Sequence, residues 1–517
     1  MKPSGVPLSL SLLLCCATAA ESRSNTVELA LMSTVGDLDN LQYYVNFTVG
    51  TPGQPQLVFV DTGSSNTFVL ASNASFCKVS DCDGVTFDLS KSSTYEMIKR
   101  GRFQQLFMGT KTWFTGDYVR DVVQMNDLVI SKLPFGLARQ FGIIWTPHTG
   151  VMGLGYSRHM SIDHDKKLPP SFLEGLVQAG AISSRLYSIY LNTLDQYGSI
   201  LFGGLDTDKY KGSLTTLNLV RRSRKVKKVD DFHLYLEEVK MQPFNQPSQT
   251  ILRSTNDSKI ITLIDTGTPD WRLPRDAFVQ VVRHAGGKLS SDKHEVIRPC
   301  SEVARGMADT TYFDLTFAGN GSNTATLRLE LADLFSPVPT KDGSVATDDA
   351  GRPMCELRVV EAVSDQFLLT SSSVMRAGYF VFDLDNGQVS LAQANLGANS
   401  SNVVRVEAGP QGLKKAAKNL IAETQRDEVE GLKQVSMAYE LSTATNTVGY
   451  ATGIKSYSAP TGTGAREPLK VHNSSRGRAD PRVRRAENAA AITMSFGANV
   501  FWALCAAVLV AVGIIAV

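Results

Sequence analysis

The chain has 517 residues, 43% hydrophobic and 20% charged, too long for one hydrophobic core, so two domains with appendages are expected. A formal net charge of +2 argues against a nucleic-acid partner held by bulk charge. The seven His residues are scattered, and neither Cys-x-x-Cys nor His-Glu-x-x-His occurs, so no metal and no cofactor are expected.

In chain order, MKPSGVPLSLSLLLCCATAA (1–20) has a basic start, a short apolar run and a small-residue end, the plan of a secretory signal peptide. Residues 21–40 form a short segment readable as a propeptide, with Arg23 its one basic residue. From about Leu41 to Leu396, short apolar runs such as YYVNFTVG, RLYSIYL and YFVFDL alternate with Gly, Asn and Asp, a mainly β pattern. Two short helices are expected, PPSFLEGLVQAG (169–180) and RDAFVQVVRHAGG (275–287), each opened by Pro and closed by Gly. The basic run RRSRKVKK (221–228) marks a seam between residues 41–220 and 221–396; a solvated loop, a processing site and a polyanion patch are its three readings.

Residues 397–490 are rich in Ala, Ser, Thr and charge and read as a flexible stalk, with GLKKAAKNLIAETQRDEVEGLKQV as a surface helix and Arg484-Arg485 as a second basic cleavage candidate. Residues 491–517 end in the apolar tail VFWALCAAVLVAVGIIAV, preceded by the small residues Asn488-Ala489-Ala490 and a spacer. That order matches a GPI-anchor signal with Asn488 as attachment candidate; a spanning helix is the alternative, which the length barely permits.

Secretion makes the cysteines readable. Cys15 and Cys16 leave with the signal and Cys505 lies in the tail. The remaining four, Cys77, Cys82, Cys300 and Cys355, allow three pairings, of which locality favours Cys77–Cys82 with Cys300–Cys355. Sequons at Asn46, Asn73, Asn256, Asn320, Asn399 and Asn473 fit the same compartment as glycosylation sites. The expected location is the secretory pathway and then the cell surface.

The chemistry is carried by a repeat. LVFVDTGSSNTFVL (57–70) and IITLIDTGTPDWRLP (260–274) are each an apolar strand ending in Asp-Thr-Gly and a hydroxyl residue. A carboxylate at the end of a buried strand is costly unless it is bonded or used. A matched pair, Asp61 and Asp265, suggests two carboxyls meeting across a cleft and sharing a proton, one as base and one as acid.

The motifs DTGSS and DTGT, with NFTVGTPGQPQLVFVDTGSSN, CKVSDC, TGVMGLGYS, LVQAGAISSRLYSIYLNTLDQYGSILFGGLD and GYFVFDLDNGQVSLAQAN in that order, resemble the pepsin-like aspartic proteases over residues 41–396. With the tail, the chain most resembles the fungal GPI-anchored, yapsin-type branch. Proton sharing between paired carboxyls is itself a known property of the aspartic protease dyad, and the resemblance carries it over from that class. The resemblance implies a bilobal fold of two β-barrel-like lobes around a cleft, acting as a monomer on peptide or protein substrates. It implies Asp61 and Asp265 as catalytic dyad, Thr62, Gly63, Thr266 and Gly267 as their turns, and Ser64 and Thr268 as supporting hydroxyls. It also makes CKVSDC the family's small disulfide loop.

Three stretches differ from the family pattern. The flap hairpin FQQLFMGTKTWFTGDYVRDVV (103–123) has no Tyr near its tip, leaving Phe107 and Trp113 as flap candidates. Phe68 stands where the family commonly has Trp. Leu369-Thr370-Ser371 replaces the usual Leu-Gly-Asp, which puts Thr370 in the place of the glycine behind Asp265. An endopeptidase is therefore expected, with a binding or cell-wall structural protein that has lost turnover as the alternative.

Overall fold

The computed structural model describes residues 25–33, 42–75, 85–107, 112–142, 149–160, 168–222, 228–255, 257–286, 296–340, 344–362, 368–417 and 419–423. The signal segment, Cys77, Cys82, Asn256, Asn473, Asn488, Arg484-Arg485 and the apolar tail lie outside them. Among the described residues no helix is long and apolar enough to cross a membrane.

The fold is mainly β and bilobal. A 15-stranded sheet runs through the first half and into a platform shared by both halves; an 8-stranded sheet and a 3-stranded sheet lie in the rest of the second half. Platform strands Leu186–Tyr190 and Gly378–Asp383 pair antiparallel, Leu186 with Asp383 through Tyr190 with Tyr379. GYFVFD is buried at every position, as expected for a strand covered on both faces. Thr324–Glu330, at the sheet's edge, instead alternates, with Ala325, Leu327 and Leu329 inward. One continuous apolar core joins Val45, Phe59 and Phe68 of the first half to Trp271, Phe313 and Phe380 of the second.

Both expected helices form. Phe172–Gln178 starts at Ser171, whose hydroxyl accepts from the Glu174 N–H while Glu174 accepts from the Ser171 N–H, a capping box. Arg275–His284 buries Ala277, Phe278, Val281 and Val282. Cys300 and Cys355 are bridged.

Two boundaries differ from expectation. Part of the short N-terminal segment, Val27–Ser33, is a strand of the platform, paired with Gly198–Phe202 and burying Leu29 and Leu31. The stalk expected from residue 397 does not begin there. Residues 397–423 fold back onto the platform: Val403–Arg405 pairs with Gly204–Asp206, and Leu420–Ile421 pairs with Leu214 and Thr215. Val406, Leu413, Ala416 and Ala417 are buried against Leu186, Tyr190 and Tyr379. The helix expected over this stretch is limited, among the described residues, to Gly412–Ala416. Burial of those few apolar residues outweighs the Ala- and Lys-rich composition that made the segment look solvated.

Candidate active site

Each Asp-Thr-Gly turn closes a strand that has a parallel neighbour. Gln54–Asp61 lies beside Gly150–Gly153, with Asp61 level with Gly153. Ile261–Asp265 lies beside Leu368–Ser371, with Asp265 level with Ser371. The two turns meet between the lobes through their threonines. The Thr62 N–H donates to Thr266 Oγ1 and the Thr266 N–H to Thr62 Oγ1, both at 3.1 Å. Thr62 Oγ1 donates to the Ile264 carbonyl at 2.9 Å, and Thr266 Oγ1 to the Val60 carbonyl at 2.8 Å.

This grip sets the carboxyls face to face. Asp61 is 4% exposed and Asp265 7%. The Gly63 and Gly267 N–H groups each donate to their own aspartate at 2.9 Å. Thr268 Oγ1 donates to Asp265 Oδ2 at 2.8 Å, and Ser64 hydrogen-bonds Asp61. The glycines are required by space. A Cβ on Gly63 would come within 2.8 Å of Asp265 Oδ1, and one on Gly267 within 2.5 Å of Asp61. Burial, then the charge of Asp265, hold the Asp61 carboxyl well above the ordinary carboxylate range; the Ser64 hydroxyl and Gly63 N–H oppose this, and a hydrogen bond with Asp265 adds to it.

The register corrects the expectation for Thr370. The place opposite Asp265, matching Gly153 opposite Asp61, belongs to Ser371. Thr370 lies level with Ile264, and its hydroxyl meets that of Thr262 at 3.0 Å. It therefore does not press on the Asp265 turn. Ser371 is accommodated without a glycine by a hydroxyl chain, Ser371 Oγ to Ser373 Oγ at 2.8 Å and Ser373 Oγ to the Pro269 carbonyl at 2.8 Å. That chain ends on the Pro269 carbonyl, just past the Asp265 turn.

The flap hairpin is formed by Glu96–Phe107 and Thr112–Met125, with Phe107 paired to Thr112. Phe107 is half-buried, its ring centre 6.4 Å from that of Phe59 and 6.0 Å from that of Phe114. Trp113 is 38% exposed and lies over Gly142 of the neighbouring strand. Of the two flap candidates, Phe107 joins the aromatic cluster that contains Phe59 and Phe114, and Trp113 covers the hairpin's other neighbour. Phe68 is fully buried between Phe103 and Phe114.

Residues beyond the sequence motifs also reach the site. Continuing the pairing of His233 with Leu263 places Asp231 level with Asp265, and the Ile264 N–H donates to the carbonyl of Phe232 between them. Burial pushes the Asp231 carboxyl up to about 7; His159 and Arg222 oppose that, while Asp230 and Asp265 add to it. An acid raised on folding stabilises the fold below its unfolded value near pH 4, and that contribution is lost as pH climbs through about 7. Asp231→Asn is therefore expected to raise the melting temperature at pH 7 and to leave it unchanged below about pH 4. A melting difference equal at both pH values would contradict this. Among the described residues, no group of three or more His, Cys, Asp or Glu side chains forms a metal-holding set.

A bilobal β fold with two aspartates on twin turns, locked by reciprocal threonines, defines the pepsin-like class. The chain belongs to the eukaryotic aspartyl protease family, whose model matches residues 42–394. It is 28% identical over 410 residues to the probable aspartic-type endopeptidase OPSB of Arthroderma benhamiae, covering 77% of this chain and 79% of that protein. It is 31% identical over 380 residues to aspartic proteinase yapsin-3 of Saccharomyces cerevisiae, covering 70% and 68%. Barrierpepsin of the same yeast is 25% identical over 411 residues, covering 74% of this chain and 65% of that protein.

Proposed function

We propose that the chain is an aspartic endopeptidase in which Asp61 and Asp265 activate a water for attack on a peptide carbonyl. The observation that carries this reading is the reciprocal placement of the turns, each glycine facing the opposite carboxyl. With one proton on the pair, the ionised carboxylate takes a proton from water as it attacks. The protonated carboxyl donates to the developing oxyanion. The tetrahedral diol collapses once the leaving nitrogen is protonated. Ser64 and Thr268 hold the outer oxygens, and Thr62 and Thr266 fix the separation of the turns.

The mature protein is read as a glycosylated monomer of the secretory pathway, held at the cell surface by a GPI anchor near Asn488. Asn46, Asn73, Asn320 and Asn399 are exposed, as acceptor sites require. Digestion of a peptide library by the purified mature chain, from about pH 2 to 8 and with or without pepstatin, tests the activity. Cleavage greatest on the acid side and blocked by pepstatin is expected. A pure chain that binds pepstatin but cleaves no peptide would favour a binding protein that has lost turnover. Mass analysis of its C-terminal peptide tests the anchor, since a peptide running to Val517 would rule out exchange at Asn488.

A further inference from the structure

The inner face of the flap hairpin carries a polar residue where alternation calls for an apolar one. Phe103, Gln105 and Phe107 share one face of their strand. Phe103 is buried against Phe68 and Tyr118, and Gln105 beside it is only 8% exposed. A buried amide is costly unless both its ends are bonded.

Both ends are bonded, and the partners fix which way each amide points. Asn66, 1% exposed, has its Nδ2 at 3.0 Å from the Gln104 carbonyl and 3.1 Å from the Met160 carbonyl. A carbonyl only accepts, so Asn66 must present its nitrogen there. Its Oδ1 then accepts from the buried Tyr118 hydroxyl at 2.8 Å. The same Asn66 nitrogen lies 3.0 Å from Gln105 Oε1, so its two hydrogens are shared among three acceptors and Gln105 must present its oxygen there. This leaves Gln105 Nε2 to donate to the Leu106 carbonyl at 3.3 Å and to Ser64 Oγ at 3.4 Å. An amide nitrogen cannot accept, so the Ser64 oxygen accepts, and its single hydrogen is left for Asp61.

We propose that Gln105 is a positioning residue for the acid pair: held by Asn66 and Tyr118, it aims the Ser64 hydroxyl hydrogen at Asp61. The flap hairpin and the dyad thereby form one hydrogen-bonded unit built from two amides, the Tyr118 hydroxyl and a serine, with no tyrosine near the flap tip and no partner tryptophan. The inference rests on the protease reading and adds the groups that orient one of its acids.

Kinetics and melting of Gln105→Met, Ser64→Ala and the double variant test it. Gln105→Met keeps the volume but removes the donor. Its kcat is expected to fall about tenfold with KM within about twofold, the scale of one lost hydrogen bond to an ionised group. The acid limb of its pH profile should move to higher pH, because the Ser64 bond favours ionised Asp61. The other titrating groups near the pair are Asp265, Asp231 and Tyr187, and none of them is touched by the substitution. In the Ser64→Ala background, Gln105→Met should add less than about a twofold further loss. Independent, multiplying losses would overturn the proposal, as would an unmoved acid limb.

Gln105→Glu is a second variant that keeps the acceptor for Asn66. Its donor vanishes as the new carboxyl ionises, so activity should be lost at lower pH on the alkaline side; a wild-type profile would count against the proposal. A third readout needs no turnover. The pH-dependent part of the melting shift caused by Gln105→Met should vanish in the Asp61→Asn background. Its persistence there overturns the positioning role. Its disappearance in a chain that cleaves nothing would leave the positioning intact and reject only the protease reading.

Discussion

Asp61→Asn is expected to fold, to melt at or above the wild-type temperature near neutral pH, and to lose about a thousandfold or more in cleavage rate. Asn has nearly the same shape, and its Oδ1 still accepts from the Gly63 N–H that bonds Asp61 Oδ1 at 2.9 Å. The stability gain follows from the sign of the shift. Burial and Asp265 raise the Asp61 carboxyl, so its contribution to folding is present below the unfolded value near pH 4 and is lost as pH rises through the raised folded value. The neutral amide removes that dependence. Cleavage by pure variant within about tenfold of wild type would be too fast for a pair that has lost its shared proton.

Gly267→Ala should be nearly as damaging to activity, for a steric reason. The added Cβ would lie 2.5 Å from the Asp61 carboxyl carbon, closer than real contacts allow. Asp61 has little room to retreat, since it is 4% exposed and the threonine bonds anchor both turns. The turns must part, and a displacement of about 1 Å at reacting groups costs roughly a hundredfold in rate. Gly267 does not adopt the left-handed backbone region, so the effect is not backbone strain. Gly212→Ala is the matching control: its φ is +77° but nothing lies within 4 Å of the added atom. That variant should lose about 1 kcal/mol of stability and keep its rate. Equal rates for the two variants would refute the steric account.

What could be read from the chain alone was what is local. The twin strand-turns are contiguous patterns, and the helices carry their own signals, opening prolines and closing glycines. Strand register is not local. Sequence pattern put Thr370 behind Asp265, whereas the ladder puts Ser371 there, one residue on. Such a slip exchanges a side chain facing the strand's interior for one facing the turn. Asp231 was hidden because its neighbour Asp265 is brought close by strand pairing, not by chain order. Gln105 did leave a trace: a glutamine in phase with Phe103 and Phe107 on an otherwise apolar face. That trace acquires meaning only when Asn66 and Ser64 are seen beside it.

The threonine grip also has a mechanical consequence. Its bonds, between 2.8 and 3.1 Å, cross from one half to the other within a few residues on each side. Sliding one half along the other would stretch them all together. Rocking about an axis through Thr62 and Thr266 would leave them almost unchanged. The soft motion expected of this molecule is therefore a hinge with its pivot beneath the acids, so that the carboxyls keep their spacing while the outer walls and flap swing. Structures of the chain with its cleft opened to different extents should superpose best at Thr62 and Thr266; displacement there as large as at Phe107 would exclude the hinge.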